Sequence, residues 1–74
     1  MAMRTEWVIR SRTQGYLLDT CAGGAFTGPE AFKWTDVQVV ESVLTWPNVN
    51  AVFEAMRSAD LERSEDLDAF PIDL

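Results

Sequence analysis

The dipeptide Pro47-Asn48 divides this chain more sharply than any other feature of its sequence. Proline has no amide to continue a helix arriving from the N-terminal side, and it biases the preceding Trp46 toward extended backbone. Asn48 is a residue whose side-chain oxygen caps the free amides of a new helix. Val49, Val52, Phe53 and Met56 then recur at helical spacing, which predicts an amphipathic helix from Asn48 to about Ala59. Trp46 is expected to pack between this helix and a shorter one that precedes it.

What precedes it carries its own start signal. Thr35-Asp36-Val37-Gln38 has the form of a capping box, in which threonine caps the amide three residues on and glutamine reaches back. A short helix is predicted to open there, with Val39, Val40, Val43 and Leu44 on one face. The β-branched residues in residues 36–45 lower helix propensity and leave a strand as the alternative.

The N-terminal third reads as a hairpin. Glu6 to Arg12 alternates, with Trp7 and Ile9 on one face and Val8, Arg10 and Arg12 interleaved, and Thr13-Gln14-Gly15 supplies a turn into a return strand over Tyr16 to Thr20. Arg10 and Arg12 are expected to be solvated or paired with acids. Cys21 to Pro29 contains Gly23, Gly24 and Gly28 and reads as a flexible surface loop. It is not a phosphate-binding loop, because Pro29 and Glu30 stand where lysine and a hydroxyl residue are needed. Ala31 to Trp34 is expected as a brief third strand with Phe32 and Trp34 on one side.

These elements make one α+β domain over residues 1–74: a small antiparallel β-hairpin, or a sheet of three to four strands, packed against one or two short helices. The expected core is Trp7, Ile9, Leu17, Phe32, Val40, Val43, Trp46, Val52, Phe53 and Met56. Residues 60–74 form an acidic C-terminal segment in which Phe70, Ile72 and Leu74 alternate across Pro71 and Asp73. This segment is either an edge strand or a flexible tail.

Composition enters where chemistry is asked for. A domain of 74 residues buries only about 60% of the surface its unfolded chain exposes. So thin a core is expected to enclose no cavity of the roughly 300 Å³ typical of ligand sites. There is no histidine and a single cysteine, Cys21, so no internal disulfide forms and the commonest metal ligand and general base is missing. Cys21 reads as an inert thiol, because neither a histidine nor an assured cation stands beside it. The acids of residues 60–68 lack the central glycine of a calcium loop. No catalytic residue, metal or cofactor is expected, and the chain is not read as an enzyme. No apolar run approaches the roughly 20 residues that span a bilayer, and residues 1–4 lead into a strand without a signal peptide's apolar core, so a cytoplasmic protein with no membrane partner is expected.

Charge supplies the remaining signal. The net charge is −6; residues 1–53 carry five acids against four bases, whereas residues 54–74 carry seven acids against two. Such a chain repels phosphate, so direct nucleic-acid binding is not expected, and it is attracted to basic partner surfaces.

The order of signals resembles that of small phage and mobile-element proteins. It comprises the Trp7-Val8-Ile9 strand, Gly15, Tyr16-Leu17, Trp34-Thr35-Asp36 opening a short helix, then Trp46, Asn48 and the Ala51 to Met56 helix. The likeness covers about residues 6–58. In place of a basic or neutral final strand this chain has the acidic Asp60 to Asp68, a feature that looks like anti-CRISPR and anti-restriction proteins. The resemblance implies a small, catalytically bare, phage-encoded inhibitor that presents carboxylates where a host nuclease complex expects phosphates, as a DNA mimic does.

The partner expected is therefore a basic, nucleic-acid-binding host protein complex. The residues assigned to it are Asp60, Glu62, Glu65, Asp66, Asp68, Phe70 and Asp73, with Phe70 or Ile72 as apolar anchor. Reversing Glu62, Glu65, Asp66 and Asp68 to lysine is expected to abolish binding and spare the fold. The alternative is a structural or assembly adaptor that homodimerises through its sheet edge or exposed apolar surface, the acids only maintaining solubility.

Overall fold

In the computed structural model, residues 4–74 are described, apart from the side chain of Ala22; residues 1–3 of the leader reading fall outside that range. The elements run β1 (Thr5–Ser11), β2 (Gly15–Asp19), β3 (Ala25–Phe26), α1 (Asp36–Ser42), α2 (Val49–Ser58) and β4 (Leu67–Asp73), with short 3₁₀ turns at Cys21–Gly23 and Pro29–Lys33. The four strands form one antiparallel sheet in the order β3-β2-β1-β4. This is a small α+β fold, as the pattern of strands and caps requires.

The sheet is covered on both faces, so β1 is a buried central strand rather than half of a one-sided hairpin. Ile9 and Leu17 pack with Val52 and Met56 of α2, flanked by Trp7, Phe26, Trp46, Leu61, Leu67 and Ala69. Val8 and Tyr16 pack on the other face with Ala31, Val39 and Ile72, flanked by Trp34, Val40, Val43, Phe70 and Leu74. The uninterrupted apolar run Trp7-Val8-Ile9 is what a strand covered on both sides needs. Val8, assigned to the interleaved outward face, is fully buried.

Both helix starts follow their sequence signals. The Thr35 hydroxyl accepts from Gln38 N at 3.2 Å and the Thr35 amide donates to Gln38 Oε1 at 2.9 Å, which closes the capping box and resolves residues 36–42 as helix. Asn48 Oδ1 accepts from Ala51 N at 2.9 Å at the head of α2. Trp46 is not wedged between the helices. It exchanges two backbone hydrogen bonds with Trp7, at 2.8 and 2.9 Å, filling the place beside β1 where β2 diverges, and its side chain lies in the α2-side cluster.

Two segments depart from expectation. Ala31–Trp34 is not a strand: Pro29, with its fixed φ, takes the first position of a 3₁₀ turn over Pro29–Lys33. That turn buries Ala31 and leaves Phe32 40% exposed, so Phe32 is no core residue; it meets Tyr16 edge-on at 5.5 Å. The glycine-rich Cys21–Pro29 is not simply loop, because Ala25–Phe26 pairs with β2 as an edge strand. It folds back tightly on the first turn, with Gly28 N donating to Gln14 O at 2.7 Å and Thr27 N to Tyr16 O at 2.9 Å. Gly15, at φ +91°, stands where any Cβ would overlap Gly28 O and Thr27 Oγ1.

Candidate functional site

The acidic segment wraps from the end of α2 to the head of β4, and its carboxylates separate into two groups. One group is consumed by the fold. Asp66 accepts from Ser11 Oγ at 2.8 Å, from Thr13 Oγ1 at 3.0 Å and from Thr13 N at 3.2 Å. Ser11 is fully buried and also accepts from Gln14 N at 3.0 Å, so Asp66 and Ser11 together hold the β1–β2 turn. These bonds, that from Ser11 foremost, hold the Asp66 carboxyl below its ordinary value. Asp73 accepts from Thr5 Oγ1 at 2.7 Å.

Asp68 belongs to the same group. Arg63 Nε donates to its Oδ1 at 2.9 Å and Arg63 Nη2 to its Oδ2 at 3.3 Å, and these bonds lower the Asp68 pKa. The Arg63 guanidinium also lies 4.2 Å from the centre of the Phe53 ring on α2. Asp68 is paired in register with Arg10, but Arg10 stacks instead on Phe70, 3.8 Å from the ring centre. Phe70 is therefore partly buried beneath an arginine and packed on the core, not held out as an anchor. Ile72 is buried outright.

The second group is Asp60, Glu62 and Glu65. All three are exposed. The ion pairs among the described residues are Arg4–Glu6 and Arg63–Asp68, and neither draws on these acids. Asp60 has φ 58°, the left-handed conformation of a helix C-terminus, with Asp60 N donating to Arg57 O at 3.2 Å and Leu61 N to Met56 O at 2.8 Å. Glycine is the usual residue there, and a carboxylate at a helix C-terminus opposes the macrodipole. Beside it is an open hollow of about 590 Å³, floored by Phe53, Met56 and Leu61 and rimmed by Arg57, Asp60, Glu62 and Arg63. A second, of about 420 Å³, lies between Arg10, Arg12 and the 64–69 segment. Both are open surface hollows, not cavities enclosed by the core.

The hollow beside α2 was not legible in the sequence. Phe53, Met56 and Leu61 read as helix stripe and linker, and only the reversal of the chain at Asp60 turns their rims toward the same acids. Among the described residues no three His, Cys, Asp or Glu side chains converge as a bound metal would need. No helix among them is long and apolar enough to cross a membrane. Cys21 is exposed, its amide donating to Asp19 Oδ1 at 3.0 Å. Comparison with protein-family models, with curated proteins and with solved structures finds no match to this chain.

Proposed function

We propose that this chain is a small acidic protein-binding inhibitor, of the phage-encoded anti-CRISPR or anti-restriction kind, that blocks a basic, nucleic-acid-binding host complex. The observation that carries the reading is the division of the acids: Asp66, Asp68 and Asp73 serve the fold, while Asp60, Glu62 and Glu65 are exposed and outside both ion pairs. A carboxylate outside any ion pair in a chain of net charge −6 is repelled by the remaining acids. It gains most when a partner's lysines and arginines supply the missing charge. Beside Asp60 and Glu62 the half-buried Leu61 is the apolar side chain of this surface, since Phe53 lies under Arg63 and Met56 is buried.

The test is capture by the immobilised full chain from host lysate at low and at high salt, with nucleic acid as competitor, beside a variant carrying Asp60→Lys, Glu62→Lys and Glu65→Lys. Retention of a nucleic-acid-binding complex that is lost in high salt, in the variant and on adding nucleic acid is the expected result. Retention indifferent to charge reversal overturns it. Reversal at Asp66 or Asp68 is unsuitable as a test, because it strikes bonds that hold the turn and β4.

A second reading, an assembly adaptor that dimerises through apolar surface, is favoured by four exposed side chains: Leu18, Phe32, Val37 and Leu44. It predicts self-association that salt does not weaken.

A further inference from the structure

Strand β4 lies at the border of the sheet, and among the described residues its outer side faces no other strand. Which of its backbone groups point outward follows from the ladder. Trp7 spends both its amide and its carbonyl on Trp46, on the side away from β4. Pro71, the partner of Trp7 in register, therefore turns its own backbone away from β1. By alternation Leu67, Ala69 and Asp73 also point outward. Arg12 N donating to Asp66 O and Leu74 N to Arg4 O agree, because they place the even-numbered residues of this stretch on the inner side.

The outward groups are blocked at three successive positions. Leu67 N donates to Ser64 Oγ at 3.0 Å, and Leu67 O accepts from Ser64 N at 2.8 Å. Ala69 N donates to Asp68 Oδ1 at 2.7 Å. Pro71 has no N–H. The Asp68 carboxylate that covers Ala69 is itself held by Arg63, whose guanidinium rests on Phe53 of α2, so the cover is braced from the helix layer.

We infer that Ser64, Asp68 and Pro71 form a guard that closes the outer edge of β4 to strand addition, so that neither a second copy of this chain nor an extended peptide can lengthen the sheet there. A strand docking on this edge would find carbonyls at Ala69, Pro71 and Asp73 but no free donor between Leu67 and Pro71. About half of its ladder bonds would go unmade, and an unpaired buried carbonyl is costly. The guard does not depend on the inhibitor reading. It closes the β4 edge to an adaptor's dimerisation and leaves the two-residue β3 edge and the apolar route.

Two measurements test it. In the native chain, amide hydrogen exchange at Leu67 and Ala69 is expected to be at least about tenfold slower than in an unstructured peptide, because side-chain acceptors hold both amides. Exchange at the unstructured rate overturns the guard. In a variant carrying Ser64→Ala, Asp68→Ala and Pro71→Val, sedimentation velocity is expected to show concentration-dependent dimers, with new exchange protection at positions 67, 69 and 71. A folded variant that stays monomeric at the highest attainable concentration overturns the inference, as does a native dimer whose protected amides lie on β4. Should the triple variant lose its circular dichroism, Pro71→Val alone, with both caps kept, is expected to remain monomeric, and its dimerisation would count against the caps.

Discussion

The buried hydroxyl of Ser11 donates to Asp66 Oδ2 at 2.8 Å, tying the end of the first strand to the acidic segment 55 residues later. The bond gives an apparently free acid a structural task. It also makes the first hairpin and the last strand depend on one another, beyond the pairing of β1 with β4.

Ser11→Ala is expected to destabilise the chain by about 1–3 kcal/mol, since the amides of Thr13 and Gln14 lose an acceptor in a part-buried turn. In a domain of 60–100 residues each kcal/mol lowers the Tm by about 4–8 °C, so thermal melting reads the loss directly. A Tm unchanged from native would show the turn held by Asp66 alone.

Stability is expected to fall in acid for a nameable reason. Asp66 and Asp68 have folded-state pKa values below the ordinary 3.8, through bonds from Ser11 and Thr13 and from Arg63. Their contribution is fully present above the unfolded value and is lost as pH falls through the lower folded values. Denaturant midpoints at pH 7 and pH 3 should differ less in Asp66→Asn than in the native chain; an equal difference would place the acid sensitivity elsewhere.

Asp60→Gly is expected to stabilise the fold by about 0.5–1 kcal/mol, because glycine occupies the left-handed region without the Cβ penalty. The same change is expected to weaken partner capture, whereas Asp60→Asn should cost binding with a smaller gain in stability. Urea midpoints and the capture assay, run on both variants, separate backbone from charge.

Gly15→Ala is expected to abolish the native fold, since the new methyl would overlap Gly28 O and Thr27 Oγ1 at a φ of +91°. Gly23→Ala is the matched control: Gly23 also has positive φ but open space around it, and it should cost only about 1 kcal/mol. Comparable circular dichroism and Tm for the two variants would contradict this packing.

The caps, the two helices and the β1–β2 hairpin were legible because each is specified by residues within about four positions of one another. Thr35 with Gln38 and Asn48 with Ala51 carry their hydrogen bonds inside one turn of chain. The alternation of Phe70, Ile72 and Leu74 left an edge strand on the hairpin or a flexible tail open, and only the pairing with β1 makes it a strand.

What tertiary structure alone decided is which face of each element is covered, and by what. Val8 reads as outward beside Arg10 until α1 and the Pro29–Lys33 turn close the second face of the sheet. Phe32 reads as core until Pro29 winds its segment into a 3₁₀ turn that directs the ring outward. The acids of residues 60–68 are alike in sequence, since charge and spacing treat Asp66 and Glu65 as equals. Only the return of β4 alongside β1 brings Asp66 to Ser11 and Asp68 to Arg63, leaving Asp60, Glu62 and Glu65 outside the ion pairs. A hydrogen bond between residues 55 apart has no local signature, because its partners are chosen by sheet register and not by the chain between them.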